Sequence, residues 1–240
     1  NRRAYILETL ESIWAQTCQD YEILVVDDGS TDGTGELLEP YVRQGRLHYV
    51  YQPNQGESAA RNHALRLAKG RYYAFLDSDD LFRPEKLEKQ AAYLDANPDA
   101  GMVHTFFTKF DDSGADLGCR DTSHLTGRVY PRLLLDWSVL LPPSCVAVRA
   151  SVMQHVGGFD TSLRWGPDLD LWRRITVHYP IGCVPEPLTR MRVHPGNVSA
   201  DKAGAVASFE RYLRKAFADD PALGPIFQRR VLAKMYANMA

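Results

Sequence analysis

Apolar positions along the chain change rhythm repeatedly, and the changes outline an α/β fold. Ile6, Leu10 and Ile13 fall on one stripe of a helix expected over Tyr5 to Thr17. The run Tyr21-Glu22-Ile23-Leu24-Val25-Val26 is β-branched at its centre and stops in Asp27-Asp28, as a strand end would. Leu37, Leu38, Tyr41 and Val42 restore helical spacing, Leu47 to Tyr51 reads as a short strand, and Ser58 to Lys69 as a helix. Arg71-Tyr72-Tyr73-Ala74-Phe75-Leu76 has no helical period; it predicts a strand buried on both faces and ends in Asp77-Ser78-Asp79-Asp80. A helix striped by Leu87, Ala91 and Leu94 follows, with Pro84 in its first turn. Strand alternating with helix predicts a Rossmann-like, mainly parallel sheet with right-handed crossovers.

The second half is less regular. Met102 to Phe110, Ser144 to Val148 and Leu188 to Val193 read as strands, and Leu171 with Ile175 marks a helix that starts near Asp168. Past Ser199, Val206, Phe209, Leu213 and Phe217 form one helical stripe, and Phe227, Val231 and Met235 another. This divides the chain into a domain over residues 1–199 and a helical extension over 200–240. The extension carries seven Lys or Arg against four Asp or Glu. Docking onto the main domain is its expected role, with peripheral membrane contact through these helices as the weaker alternative.

Composition narrows the class. A chain of 240 residues, 45% hydrophobic and 24% charged, can bury one large core and is ordinary for a soluble protein. A net charge of −2 leaves no basic footprint for nucleic acid. Cys18, Cys119, Cys145 and Cys183 lie far apart with no metal or redox spacing, so reduced thiols and a cytoplasmic location are expected.

The chemistry gathers where strands end. Asp77, Asp79 and Asp80 fall at the carboxyl end of a strand, where open α/β sheets bind ligands. Ionised carboxylates near 4 Å apart repel by roughly 4 kcal/mol per pair at an effective dielectric of about 20, so a cation is expected among them. Mg²⁺ or Mn²⁺ suits this set, since either takes one or two carboxylates and fills its other positions with water and phosphate oxygens. The plain alternative makes these acids helix caps and turn residues. Asp28, Ser30, Asp32 and Glu39 have calcium-loop spacing, but they follow a strand rather than a helix, and Gly35 stands where an apolar residue belongs. Asn197-Val198-Ser199 is a glycosylation sequon without meaning in a cytosolic chain.

Together Val25-Val26-Asp27-Asp28-Gly29-Ser30, Gly56-Glu57-Ser58-Ala59-Ala60-Arg61-Asn62, Asp77-Ser78-Asp79-Asp80, Gly157-Gly158-Phe159-Asp160, Asp168-Leu169-Asp170-Leu171-Trp172 and Arg192-Val193-His194 resemble the family 2 glycosyltransferases of the GT-A fold. The resemblance covers about residues 1–199 and implies an inverting, metal-dependent transfer of a sugar from a nucleotide diphosphate donor, a UDP-sugar by preference. The acceptor implied is a hydroxyl of a carbohydrate, lipid or protein. Asp27 and Asp28 then face the nucleoside, with Asp28 the first choice to accept a hydrogen bond from the base. Arg61 resembles the family's donor-binding arginine. Asp77 and Asp79 match the ends of its Asp-x-Asp motif, with Asp79 as direct metal ligand, Asp77 facing ribose or metal-bound water, and His194 near the diphosphate or metal. Asp168 matches the catalytic base, with Asp170 as fallback, although Pro167 stands where the family commonly has Glu. Trp172 is expected in the core. On this resemblance the family's first strand is expected ahead of Asn1 and is missing from this sequence. Two rival readings are a nucleotidyltransferase, for which a glycine-rich basic loop is lacking, and a non-catalytic nucleotide- or calcium-binding module.

Overall fold

The computed structural model of the chain describes residues 1–120, 125–135, 141–194 and 204–239. Its first unit is the amphipathic helix Ile6–Trp14 (α1), followed by the strand Leu24–Asp28 (β1), the helix Thr34–Arg43 (α2) and the strand His48–Gln52 (β2). β1 and β2 pair in parallel, Leu24 opposite His48. Ile6, Leu10, Ile23, Leu38 and Leu47 interlock as the core between these helices and strands, with Ile13, Leu37 and Tyr41 of the expected stripes half-buried against them, whereas Val42 is exposed.

Helix Glu57–Leu67 (α3) leads to strand Tyr72–Ala74 (β3), the acidic turn, the short strand Leu81–Phe82 (β4) and helix Lys86–Ala96 (α4). Strands Met102–Asp111 (β5), Asp116–Arg120 (β6) and Val146–Arg149 (β7) come next, then helices Ala150–Val156 (α5) and Pro167–His178 (α6) and the long strand Ile181–Val193 (β8). The second sheet has the order β3-β7-β5-β8-β4, with β6 folded back on β5.

Helices and sheet layer as an α/β fold should, but the sheet is mixed rather than mainly parallel. β1–β2 and β5–β8 run parallel, whereas β3–β7, β4–β8, β5–β6 and β5–β7 are antiparallel. Of these pairs β5–β6 joins consecutive strands without a crossover helix, a connection that returns antiparallel. After β5 the chain turns on Asp111, whose carboxylate accepts from the backbone of Ser113 (2.9 Å) and Ala115 (3.1 Å), and hairpins into β6. β3 also departs from the strand expected to be buried on both faces. Tyr72 and Tyr73 are half-buried and Ala74 is exposed, because β3 has β7 on one side and ends its sheet.

The main core gathers Met102, Val146, Val148, Leu171, Trp172 and Ile175 under α5 and α6. Trp172 is a core residue as expected, 1% exposed, with its indole N–H donating to the Leu141 carbonyl at 2.9 Å.

Helices Ala205–Asp219 (α7) and Pro225–Met239 (α8) close the chain. Leu213, Ala216, Val231 and Met235 pack with Leu134 and Leu163 of the main body, and Phe209 and Phe217 join them. The apolar stripes of both helices are thus spent on docking against the main body. Among the described residues no helix is long and apolar enough to cross a membrane. The sequon at Asn197 lies outside the described residues.

Candidate active site

At the end of β1 the two acids turn opposite ways. Asp27, expected beside the nucleotide, faces inward: it is 6% exposed, and its oxygens accept from the Ser30 N–H (2.7 Å) and the Tyr49 hydroxyl (2.7 Å). Burial alone would raise its carboxyl, but these hydrogen bonds outweigh it and hold the group below its ordinary value. Asp28 reaches across to the next loop and accepts from Gln52 Nε2 (2.7 Å) and the backbone N–H groups of Gln55 (2.9 Å) and Gly56 (2.7 Å). Two of those bonds fall on Oδ1 and one on Oδ2. A carboxylate offers about four lone-pair sites, so one on Oδ2 remains for a ligand N–H. The calcium-loop pattern dissolves here: Asp32 caps Thr34 at 3.1 Å and Glu39 pairs with Arg43.

Gly56 opens α3, so Asp28 also fixes the helix that carries Arg61. The Arg61 guanidinium bridges Asp77 (2.6 Å) and Glu57 (3.5 Å) and lies 5.4 Å from the centre of the Phe159 ring. Burial would weaken its proton, yet the two carboxylates outweigh that and hold it above the ordinary arginine value. The next residue, Asn62, locks α3 to the loop at 158–159: its amide accepts from Phe159 N and donates to Phe159 O, each at 2.8 Å. A Cβ on Gly158 would come within 2.2 Å of Asn62 Oδ1, so this contact requires glycine. The matched segments around Arg61 and Gly157-Gly158-Phe159 are thereby two halves of one joint.

The acidic turn is held from behind. Ser144 Oγ accepts from Asp77 N (3.1 Å) and donates to Asp80 Oδ2 (2.7 Å), while Asp80 Oδ1 accepts from Arg192 N (3.0 Å). Asp80 is 3% exposed, and burial together with Asp77 keeps its carboxyl well above the usual range. It is a strut between the turn and β8. Asp79 faces the other way: its Oδ2 lies 3.0 Å from His194 Nε2 and 3.4 Å from Arg2 Nε, and the His194 ring stacks on Tyr5 at 5.0 Å.

Among the described residues no group of three or more His, Cys, Asp and Glu converges as a finished cation cage. The Asp79–His194 pair nonetheless suits a small divalent ion. Neighbouring ligands of an octahedral ion with bonds of about 2.1 Å sit about 3.0 Å apart, and such an ion takes its remaining ligands from water and phosphate. One carboxylate and one imidazole supply a donor set of that kind, with Asp77 two residues away in the same turn.

Asp77, Arg61 and Glu57 line a cleft of about 180 Å³ together with Pro143, Arg164, Trp165, Gly166, Pro167 and Asp168. Gly166 takes a left-handed conformation (φ +72°) and caps α6, Pro167 supplies its first turn, and Asp168 follows on the cleft wall. Burial pushes the Asp168 carboxyl up from 3.8 to about 6, against the opposing pull of Arg61. Asp170, the fallback, turns away from this wall. It is fully buried, with its oxygens on Arg173 (3.2 Å), Arg174 (2.8 Å) and Lys215 (2.9 Å).

The structure therefore brings Arg61, Asp77 and Asp168 to one cleft and sets Asp79 with His194 around the same turn. Asp28 is tied to them through α3, and Asp27 is a support. Sequence reasoning missed Glu57, whose carboxyl is raised by burial against the pull of Arg61, and it missed Arg164 and Trp165. Glu57 sits at i−4 from Arg61 on an expected helix, a spacing that could have signalled it.

Residues 1–157 match the sequence model described as glycosyl transferase family 2. A protein of Rickettsia felis (strain ATCC VR-1525 / URRWXCal2) named uncharacterized glycosyltransferase is 32% identical over 196 residues, which is 82% of this chain and 32% of that protein. The putative teichuronic acid biosynthesis glycosyltransferase TuaG of Bacillus subtilis (strain 168) is 47% identical over 96 residues, 39% of this chain and 38% of that protein. The chain thus spans about a third of the length of these relatives. Among solved structures, S. aureus TarS 1-349 in complex with UDP superposes with a TM-score of 0.73 at 22% identity, over 98% of this chain and 67% of that one. The mannosyltransferase PcManGT from Pyrobaculum calidifontis in complex with GDP-Man and Mn²⁺ superposes with a TM-score of 0.68 at 21% identity, over 97% and 66%. At such identities the structural likeness speaks for a shared GT-A fold.

Proposed function

From the premise that the chain belongs to glycosyl transferase family 2, we propose that this cleft transfers a sugar, with inversion, from a nucleoside diphosphate sugar to an acceptor hydroxyl. The observation that carries the reading is a carboxyl raised to about 6, Asp168, sharing one cleft with the Arg61–Asp77 pair. A general base serves best with a midpoint near the working pH, and its place is opposite the departing group.

Each side chain then has a task. Asp28 accepts the base N–H through the remaining site on Oδ2, and Asp27 keeps the turn beneath it in shape. Arg61 offers a planar, permanently charged partner to donor oxygens, with Asp77 orienting it and facing the ribose. Asp79 and His194 would hold a divalent ion, Mn²⁺ or Mg²⁺, which when bound would supply positive charge to a diphosphate leaving group. Asp168 takes the acceptor proton, and Trp165 and Arg164 form the wall on the acceptor side. A UDP-sugar donor is supported by the TarS complex with UDP, and a carbohydrate acceptor in polysaccharide or glycoconjugate synthesis by the name of TuaG.

Thermal melting with UDP or GDP, each with and without Mn²⁺, tests the reading, because a ligand that binds only the folded state raises the melting temperature. One nucleotide is expected to stabilise the protein in a Mn²⁺-dependent manner, and Asp79→Ala to abolish the Mn²⁺-dependent part. Stabilisation by a nucleotide that ignores Mn²⁺ in both proteins would remove the metal role and favour a plain nucleotide-binding module.

A further inference from the structure

The helix α7 lies outside the family match, which ends at residue 157, yet one of its faces is applied along the wall that carries Asp168. Ser208, Arg211, Tyr212, Lys215, Ala216 and Asp219 recur at helical spacing. Ser208 Oγ accepts from the Trp165 N–H at 3.0 Å and donates to the Trp165 carbonyl at 2.9 Å, so one hydroxyl clamps both backbone groups of a cleft residue. The Phe209 ring fills the space beside Gly166, where an added Cβ would meet it at 3.2 Å. Arg211 donates to the Ser162 carbonyl at 2.9 Å. Lys215 joins Asp160 (2.6 Å) to the buried Asp170 (2.9 Å), and Asp219 accepts from Arg173 at 2.5 Å.

These contacts seize both sides of the catalytic-wall segment: Ser162, Trp165 and Gly166 before Asp168, and Asp170 and Arg173 after it. Each is polar and directional or a close apolar fit, so the segment has little freedom left while α7 is in place. A reacting group displaced by 1 Å can lose about a hundredfold in rate. A loosened wall also admits water to the Asp168 carboxyl and relieves the burial that raises it.

We propose that α7 is a working part of the transfer site, with Ser208 and Lys215 as positioning residues that hold Trp165 and Asp168 at the acceptor side of the cleft. The proposal rests on the reading of Asp168 as the base. It also changes the status of the segment beyond residue 200 from an appendage to a part of the active site.

The test compares the wild type with Ser208→Ala, Ser208→Thr and Lys215→Met. Two readouts are used: amide hydrogen exchange over residues 162–170, and Mn²⁺-dependent release of UDP from UDP-GlcNAc or GDP from GDP-mannose as a function of pH. Ser208→Ala should speed exchange at the Trp165 amide and lower kcat about tenfold or more with the donor KM unchanged. It should also move the acid-side midpoint of the rate below that of the wild type, which is expected near 6. Ser208→Thr, which keeps the hydroxyl, should restore both exchange and rate, and Lys215→Met should repeat the loss from the other side of the base. Faster exchange with unaltered kcat and midpoint overturns the proposal, since the clamp would then be structural only. So does exchange that does not change at all. Asp168→Asn at the wild-type rate would instead sink the base assignment, an outcome distinct from failure of the clamp. If neither sugar nucleotide turns over, unaltered exchange in Ser208→Ala and Lys215→Met still overturns the proposal.

Discussion

Replacing Asp168 with Asn should make the protein more stable and less active at once, and the two signs together test the reasoning about this site. The Asp168 carboxyl is raised from 3.8 to about 6, chiefly by burial. The folded state therefore binds more protons than the unfolded chain between those values, and stability falls as pH rises from about 4 through about 6. A shift of roughly two units corresponds to ~3 kcal/mol at pH 7, a ceiling that water on the open side of the cleft lowers. Asparagine carries no charge to desolvate and keeps an oxygen to accept the Leu169 N–H that the carboxyl accepts. Urea unfolding at pH 5 and pH 8 should show the variant gaining most at pH 8, by 1 kcal/mol or more. Turnover should drop by roughly 10² to 10⁴, the usual contribution of a general base. In the wild type, turnover should fall as pH drops through about 6. A variant that is less stable at pH 8 would refute the burial argument, and full turnover would refute the base.

Two further outcomes follow from other groups. Arg61 opposes the rise of Asp168, so Arg61→Met should move the acid side of the pH–rate curve above 6, opposite in direction to Ser208→Ala, and weaken nucleotide binding in a calorimetric titration; an unmoved curve counts against their sharing a cleft. Lys86 is fully buried over the Phe82 ring, donates to Gln90 Oε1 at 2.6 Å, and is pushed down by burial from 10.5 to about 7. The unfolded chain binds more protons between those values, so stability should rise from pH 7 to pH 9, and Lys86→Met should flatten that rise in urea melts.

Much of the framework was legible because it is local. The stripes of α1, α2 and α7, the acid-ended run at Asp27-Asp28 and the position of Asp168 at a helix start all depend on neighbours a few residues away. What escaped depends on partners far along the chain. Arg173 and Arg174 stand three and four residues on from Asp170, but nothing near it announces the third cation, since Lys215 comes from another helix. Nothing near Tyr72 tells that its strand will have β7 as its neighbour and stand at the end of its sheet. Asp27 and Asp28 are adjacent and alike, and only the strand's alternation of faces separates a buried support from a group open to a ligand. Trp165 lies in an aperiodic stretch, where pattern reading has no purchase until Ser208 is seen beside it.

The charge cluster at Asp170 also constrains how such a chain can change over generations. Stripping one partner from a buried ionic group typically costs about 3–5 kcal/mol, whereas exchanging the whole set for oily side chains of equal bulk is often neutral. Drift at Asp170, Arg173, Arg174 and Lys215 is therefore confined to concerted jumps. A replacement closing helix borrowed from another protein would have to arrive with its own cation for that carboxylate.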